Sequence, residues 1–364
     1  MLAPAELTAA TVGVSARRLR LRLKSPYKLS FGAVEAFDTV LVTARIGEVI
    51  GYGEATVLTG YTEETIEGSW ALTRSLVERH GTGTVAELLA EADRLTSEAP
   101  FTATAFRTAV EMAARHPLLV SETERRIPVL AIINAIGESK IAAEIDARRS
   151  DGYKTLKIKA GFDRVADLAR VRFIQSLVAG TDIQLTVDAN QGYSREDGCA
   201  FAAQLSPDNM LFFEQACHKD DWDAAVAVAQ ISAVPIMLDE SIYDLGDVER
   251  AASLRAAQYV KLKLMKCGGL DRLADALARV QALGLKAVLG NGVATDIGCW
   301  MEAAVAYERL DTAGEMNGFL KPMRHLVTNP LAIEQGDIVV PAGWWPALDE
   351  EAVSAGQLDA VGAT

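Results

Sequence analysis

The chain has 364 residues, half of them hydrophobic, and a formal net charge of −13. This length allows a large buried core and more than one domain, while the excess of acidic residues argues against nucleic acid or an anionic membrane as a partner. No apolar run approaches the roughly 18 residues of a membrane span, and the N-terminus lacks a signal-peptide pattern. The four cysteines contain no CxxC motif, which is typical of reduced thiols and predicts a cytoplasmic protein.

The N-terminal third of the chain predicts a small α+β domain. Residues 11–57 alternate apolar and polar positions around the turn sequence RIGEVIGYGEA, a pattern that favours an antiparallel meander. Apolar residues then recur at helical spacing over residues 63–116. Because β and turn signals return near the C-terminus, we predict a capping domain formed by residues 1–125 and completed by residues 330–364.

Residues 126–329 alternate short apolar strands with amphipathic helices. The segments predicted as strands are 129–135, 155–161, 183–190, 211–215, 235–240, 259–264, 286–292 and 313–318. Alternation of this kind favours a closed parallel sheet surrounded by helices. The predicted fold class is therefore α/β, a TIM-like (β/α) barrel of about eight strands with an α+β N-terminal capping domain.

Charged residues close successive apolar stretches at intervals of about 25 residues, namely Lys159, Asp188, Glu214, Asp239 and Lys263. A strand-helix unit of an eight-unit barrel has about this length, so these positions would gather at one rim of the barrel. Amines that face a cluster of carboxylates indicate a reaction site rather than a solvated surface.

Lys157 and Lys159 are two residues apart on a predicted strand, so their side chains would point the same way. Burial and a neighbouring like charge both lower the pKa of a lysine, which would make Lys159 a usable base. The alternative is a pair of surface lysines on an edge strand. Lys261 and Lys263 repeat the arrangement on a second strand, and this recurrence favours the reaction site.

Asp188, Glu214 and Asp239 are oxygen donors with no histidine or cysteine at the neighbouring strand ends. Such a set prefers Mg²⁺ or Mn²⁺ to zinc or copper. Three uncompensated carboxylates would repel one another, so either a divalent ion or several cations must lie among them. For each acid alone, the alternative is a helix N-cap or a salt bridge in a loop.

The order of these motifs resembles the enolase superfamily, in the muconate lactonizing enzyme subgroup of the mandelate racemase/muconate lactonizing enzyme family. The similarity covers most of the chain, from GYGEA through KIK, VDANQGY, FEQ and DES to KLMKCGG. It implies two bases on opposite faces of the substrate, Lys159 and Lys263, with Lys157 assisting by its charge. The histidines are absent from the seventh strand end, LGNG, which favours the two-lysine subgroup.

The resemblance also implies one Mg²⁺ ion, with Mn²⁺ as a substitute. The implied metal ligands are Asp188, Glu214 and Asp239. Glu240 follows Asp239 directly, and we expect it to lie behind these ligands and, with Asn190, to support them.

The resemblance further implies abstraction of the α-proton of a small carboxylate substrate through an enediolate intermediate. Lysines on both faces favour racemisation or epimerisation, a 1,1-proton transfer, of an amino-acid derivative. Syn-dehydration by a lyase and cycloisomerisation need only one lysine and remain alternatives. A non-catalytic barrel that binds a metal or a carboxylate is the remote alternative, because every position of the implied site is filled.

The eighth predicted strand differs from that of the dipeptide epimerases in this subgroup, which carry an Asp-x-Asp pair for the substrate ammonium. Here the stretch reads Glu315-Met316-Asn317, so one negative charge at most is left for an ammonium. Lys261 either meets a second substrate anion or forms a salt bridge within the barrel, and we prefer the salt bridge.

The remaining candidates lie at the barrel mouth and in the capping loops. We expect substrate contacts from Tyr27, Tyr61, Asn291, Glu315 and Asn317. The expected partners are a small-molecule carboxylate and further copies of this chain in a homo-oligomer.

Overall fold

A four-stranded antiparallel sheet organises the N-terminal part of the computed structural model, which describes residues 4–29, 32–58 and 62–362. The predicted meander is confirmed, and its strands are β1 (Gly13–Leu29), β2 (Gly32–Ile46) and β3 (Val49–Val57). The helices of this part are α1 (Pro4–Ala9), α2 (Ile66–His80), α3 (Val85–Leu95) and α4 (Pro100–Ala113).

Helix α4 packs directly on β3 because the GYG motif places no side chain between them. A Cβ atom on Gly53 would stand 2.0 Å from the carbonyl oxygen of Ala105, and one on Gly51 would stand 2.1 Å from that of Ala109. Such distances are far below van der Waals contact, so only glycine allows the helix to approach this closely. The contact fixes the strand that carries Glu54.

Among the described residues, seven parallel strands form the second sheet, and each pairs with the next along the chain. After β4 (Arg125–Pro128) come β5 (Ala131–Ile133), β6 (Thr155–Lys159), β7 (Gln184–Asp188), β8 (Met210–Glu214), β9 (Ile236–Leu238), β10 (Tyr259–Leu262) and β11 (Lys286–Leu289). The helices around the sheet are α5 (Glu138–Ser150), α6 (Arg164–Val178), α7 (Arg195–Ala202), α8 (Trp222–Ile231), α9 (Leu245–Leu254), α10 (Leu264–Cys267), α11 (Leu270–Ala282) and α12 (Asp296–Ala306).

The prediction of an eighth regular strand over residues 313–318 is wrong, although this segment still closes the barrel. Gly314 exchanges backbone hydrogen bonds of 2.9 Å with Pro128 and Leu130 at one edge of the sheet. The N–H of Glu315 donates to the carbonyl oxygen of Leu289 (2.8 Å) at the other edge. The chain turns immediately afterwards, since the N–H of Asn317 donates to the carbonyl of Glu315 (2.7 Å), so the extended pairing ends within two residues.

The C-terminal residues return to both parts of the structure. They form β12 (Ala332–Glu334), β13 (Asp337–Val340), α13 (Glu350–Gly356) and β14 (Gln357–Val361). Strand β13 pairs with β4 beside the barrel, whereas β14 pairs with β1 and extends the N-terminal sheet. The pairing of β14 supports the predicted completion of the capping domain, and the predicted domain boundaries remain a prediction.

No helix in the described parts of the chain has both the length and the apolar character needed to cross a bilayer.

Glu54 on β3 links the capping sheet to the barrel. Thr295, which precedes α12, donates to its carboxylate through the backbone N–H (2.6 Å) and through the hydroxyl. Burial raises the pKa of Glu54 to about 7, and it outweighs the hydrogen bonds from Thr295, which act in the opposite direction. The folded protein therefore favours the protonated carboxyl group well above the usual pH of its ionisation.

We expect the substitution Glu54→Gln to change how stability depends on pH. The folded-state pKa lies above the unfolded value of about 4.3, so the contribution of Glu54 to stability is present in acid and is lost as the pH rises towards about 7. Glutamine has no proton to lose. Urea unfolding at about pH 5 and about pH 8 should show the variant gaining about 1–3 kcal/mol relative to the parent protein at the higher pH.

The exposed residue Glu48, on the turn between β2 and β3, provides the matched control. A Glu48→Gln variant should follow the parent protein at both pH values. If the free-energy difference between Glu54→Gln and the parent did not change with pH, the raised pKa of Glu54 would be wrong.

Candidate active site at the barrel mouth

The carboxyl ends of neighbouring strands bring the predicted lysines and carboxylates together. Lys159 stands in register with Asp188, and Asp188 with Glu214, across β6, β7 and β8. Asp239 follows β9 by one residue. Because parallel strands end at the same edge of a sheet, these side chains meet at one mouth of the barrel. The three carboxylates are at most 2% exposed.

The ammonium group of Lys157 lies at the centre of this cluster. Its Nζ atom is 2.8 Å from Asp188, 2.9 Å from Glu214 and 2.8 Å from Glu315, and the side chain is 1% exposed. Burial alone would lower the pKa of Lys157, but these three carboxylates outweigh it and raise the pKa. Lys157 therefore stays charged.

Lys261 is a second ammonium group among the same carboxylates. Its Nζ atom is 2.8 Å from Glu214, 2.6 Å from Glu315 and 3.5 Å from Asp239. The interpretation of Lys261 as a salt-bridge partner within the barrel is confirmed. Lys157 and Lys261 are thus the cations that separate the acidic side chains in this structure.

Lys159 occupies a more open position than the other lysines of the cluster. Its Nζ atom donates to Asp188 (2.7 Å) and to the Oδ1 atom of Asn190 (2.6 Å), and its side chain is 20% exposed. Asn190 in turn donates to Glu240 (3.1 Å). Burial, followed by the charges of Asp239 and Asp188, raises the pKa of Glu240 to about 7. Asn190 and Glu240 therefore hold the orientation of Lys159 from behind.

Lys263 lies on the other side of the carboxylates. It follows β10 directly, and its Nζ atom is 2.5 Å from the Oδ1 atom of Asp239, with the side chain 1% exposed. The next residue, Leu264, donates its N–H to buried Glu302 (2.8 Å), which fixes the backbone at this position. Strands β7, β8 and β9 separate Lys263 from Lys159 in the sheet.

The charges of the cluster decide how its carboxylates ionise. Burial would raise the pKa of Asp188, but Lys157, Lys159 and Lys261 outweigh it and hold that pKa at about 2. The lysines likewise keep the pKa of Glu315 well below its usual value in spite of burial. Glu214 differs, because burial and the charge of Asp188 raise its pKa. Alternating positive and negative groups therefore keep most of these buried acids ionised.

A divalent cation fits the chemistry of the acidic residues. Within residues 4–29, 32–58 and 62–362, no three His, Cys, Asp or Glu side chains are grouped so that they could hold a metal ion as they stand. Asp188, Glu214 and Asp239 nevertheless supply buried oxygen donors, the type that Mg²⁺ prefers. The Oε2 atom of Glu214 accepts no hydrogen bond within the described structure, although Lys157 is close. This buried acceptor has capacity for a further positive partner.

Two of the candidate substrate contacts lie near Glu315. The ring of Tyr27 is 4.9 Å from the Nζ atom of Lys321, and the Oδ1 atom of Asn317 accepts a hydrogen bond from the same ammonium (3.1 Å). Sequence reasoning missed Lys321. The only signal was a basic residue six positions after Glu315, and nothing in the chain before it indicated that it would fold back to the barrel mouth.

The other two candidates are placed differently. Asn291 is buried, its Oδ1 atom accepts from the N–H of Val293 (3.0 Å), and it lines a small cavity of about 20 Å³ with Glu54 and Glu302. The Nδ2 atom of Asn291 donates to the Sδ atom of Met265 (3.5 Å), so both polar atoms of its side chain have partners within the protein. Tyr61 lies outside the described residues.

Comparison with known proteins finds a matching family model and similar proteins that align with most of the chain. A family model described as "Enolase C-terminal domain-like" matches residues 140–344. The chain is 23% identical to an N-succinyl-L-Arg/Lys racemase of Bacillus cereus over 83% of this chain and 86% of that protein. It is 25% identical to muconate cycloisomerase 1 of Rhodococcus opacus over 91% and 94% of the two chains. A solved dipeptide epimerase of Cytophaga hutchinsonii, complexed with Mg and the dipeptide D-Ala-L-Val, superimposes with a TM-score of 0.85 at 21% identity, covering 97% of this chain and 100% of that chain.

We expect the removal of Lys261 to cause a large loss of stability, because Lys261 pairs with buried Glu214 and Glu315. Lys261→Met leaves buried Glu214 and Glu315 short of a counter-charge, which should cost about 3–5 kcal/mol of unfolding free energy in buffer without divalent cations. Adding Glu315→Gln to this variant removes one of the stranded charges and should recover part of the loss. Urea unfolding of the two single variants and the double variant measures the coupling.

Lys154 provides the control for Lys261, because its ion pair with Asp182 is exposed to solvent. Lys154→Met should change stability little. Equal, small effects of the two lysine substitutions would show that the buried cluster does not depend on Lys261.

Proposed function

Since this chain belongs to the enolase superfamily, in its mandelate racemase/muconate lactonizing enzyme subgroup, we propose that it is an isomerase that removes and returns the α-proton of a small carboxylate substrate. One observation carries this proposal. Two lysines, Lys159 and Lys263, stand on opposite sides of a row of buried carboxylates, with three strands between them. A substrate between them would present one face to each amine.

Racemisation or epimerisation uses both lysines. A neutral amine on one side takes the proton from the α-carbon, and the ammonium group on the other side donates a proton to the opposite face, so the configuration inverts. Asn190 and Glu240 orient Lys159 for this transfer, and the hydrogen bond from Leu264 to Glu302 holds the backbone next to Lys263. Lys157 remains charged and contributes a fixed positive potential.

The residues that would hold a divalent cation are Asp188, Glu214 and Asp239, with Mg²⁺ as the preferred ion and Mn²⁺ as a substitute. When bound, such an ion stabilises the negative charge that develops on the substrate carboxylate as the proton leaves. The ammonium groups of Lys157 and Lys261 already neutralise part of the acidic cluster. Part of the negative charge in this buried site is therefore compensated before the substrate carboxylate gains charge.

Cycloisomerisation is the second candidate. It is favoured by the similarity to muconate cycloisomerase 1, which extends over 91% of this chain, and by the pairing of Glu315 with two lysines rather than with an open space for an ammonium. This reaction needs only one of the two bases. Syn-dehydration is a further alternative on the same site. The cytoplasmic location and the homo-oligomer remain predictions.

Proton exchange in D₂O tests the proposal. With a panel of N-acylated amino acids, dipeptides and sugar acids in the presence of Mg²⁺, α-deuterium uptake without loss of a leaving group identifies racemisation or epimerisation. Release of water or a change in a lactone identifies the alternatives. Lys159→Ala and Lys263→Ala should each lower turnover by about 10²–10⁴-fold, the usual contribution of a general acid or base.

Lys154, three residues before the cluster lysine Lys157 and exposed on the surface, is the control. Lys154→Ala should retain full exchange. Full exchange and turnover in both Lys159→Ala and Lys263→Ala would refute the assignment of the bases, and no exchange with any acid in the parent protein would favour the non-catalytic barrel.

Metal binding is measured separately from turnover. Calorimetric titration with Mg²⁺, or electron paramagnetic resonance with Mn²⁺, should show affinity falling by about tenfold or more in Glu214→Gln and in Asp188→Asn, since each removes a charged oxygen ligand. The exposed carboxylate of Asp182 serves as the control through Asp182→Asn. Unchanged affinity in both site variants would exclude these residues as ligands.

A further inference from the structure

Lys321 joins the capping sheet to the barrel mouth. Its carbonyl oxygen accepts from the N–H of Lys24 on β1 (2.9 Å), and the neighbouring Pro322 forms a β-bridge with Leu23. The same strand carries Tyr27, whose ring lies beside the Lys321 ammonium. A side chain from the last part of the barrel is therefore positioned together with a side chain from the capping domain.

Three polar groups meet over Gly292, shortly after the end of β11, the seventh strand of the barrel. A Cβ atom on this glycine would stand 3.0 Å from the Oη atom of Tyr27, 3.2 Å from the Nζ atom of Lys321 and 3.5 Å from the Oε1 atom of Glu315. Any other residue at position 292 would intrude on them. The glycine thus keeps space next to a hydroxyl, an ammonium group and the Oε1 atom of Glu315, at the edge of the carboxylate cluster.

Lys321 lacks a close anionic partner. Its Nζ atom donates to the carbonyl oxygen of Gly292 (2.5 Å) and to the Oδ1 atom of Asn317 (3.1 Å), both of which are neutral acceptors. Across the residues that the structure describes, no carboxylate oxygen lies within 4.0 Å of this ammonium, in contrast to Lys157 and Lys261. Burial lowers the pKa of Lys321 to about 8, and the more distant charge of Glu315 only partly opposes it. The buried ammonium group of Lys321 would therefore be stabilised by an added anion.

The carboxylate of Glu315 also faces this space through its Oε1 atom, but neighbouring lysines already compensate its charge. The Oε2 atom of Glu315 already accepts from Lys157 (2.8 Å) and Lys261 (2.6 Å). Its negative charge is therefore shared between two ammonium groups. An added carboxylate would be attracted to the ammonium group of Lys321, whereas an added substrate ammonium would be repelled by it.

We propose that Lys321, oriented by Asn317 and flanked by Tyr27, binds a second carboxylate of the substrate and makes this site selective for dicarboxylates. The inference rests on the proposed function and names its substrate class. One carboxylate of the substrate would lie next to the reacting carbon, at the divalent-cation site that Asp188, Glu214 and Asp239 would form, and the other would extend to the space over Gly292.

A matched pair of ligands tests this selectivity without requiring turnover. N-succinylglycine carries a second carboxylate where N-butanoylglycine carries a methyl group. Calorimetric titration of the parent protein with Mg²⁺ present should give tighter binding of the succinyl compound by roughly 10- to 100-fold, the range for a hydrogen bond to a charged group. Lys321→Met should reduce that preference by most of this factor, and Lys321→Arg should restore part of it.

The same pair attached to chiral amino acids gives the kinetic test. In α-deuterium exchange, Lys321→Met should raise KM for the N-succinyl substrate relative to the N-butanoyl substrate, with a smaller change in the ratio of their kcat values. Lys24, whose exposed ammonium donates to the carbonyl of Leu320 next to Lys321, is the control. Lys24→Met should keep the preference of the parent protein.

The outcomes separate this inference from the proposed function. If the parent protein exchanges the α-proton but treats both members of the pair alike, or if Lys321→Met keeps the full preference, the inference is overturned and the function stands. If the preference in binding depends on Lys321 but no acid exchanges its proton, the anion site stands and the function falls. Failure of both compounds to bind overturns the inference.

Discussion

The alternation of ammonium and carboxylate groups at the barrel mouth is the interaction on which this site depends. Asp188, Glu214 and Asp239 are almost fully buried, and an unpaired ion in such a setting costs several kcal/mol by general estimates of ion burial. Lys157 and Lys261 each contact three carboxylates at once, counting Glu315. The ion pairs therefore stabilise a concentration of acidic groups that would otherwise repel one another.

This arrangement divides the lysines into two kinds. Lys157 and Lys261 each lie among three carboxylates, which raise the pKa of Lys157, whereas Lys159 and Lys263 stand at the two ends of the acidic row, next to Asp188 and Asp239. In the proposed reaction, the enclosed pair would supply a positive potential and the outer pair would exchange protons with the substrate. Under this proposal, one type of side chain would perform two tasks, because its position in the acidic row differs.

The capping domain completes the mouth through a few close contacts. Gly51 and Gly53 let α4 lie on β3, and the following residue, Glu54, reaches across to Thr295 at the start of α12. On the other side, β1 meets the segment after the barrel closure and brings Tyr27 to Lys321. The capping domain is therefore held to the barrel on both sides, by Glu54 and Thr295 and by Tyr27 and Lys321.

The sequence by itself determined the barrel, the capping meander and the acidic strand ends, because a repeat of about 25 residues and the alternation of apolar positions report on local structure and on strand direction. Only the tertiary structure decided how residues 313–318 close the sheet, since that segment must fit between two edges that are distant in the chain. It also decided that the pKa of Lys157 rises, because the anions around it come from strands β7 and β8 and from the closing segment. Lys321 reaches the mouth for the same reason, since its position follows from contacts between the capping strand and the barrel that no local pattern records.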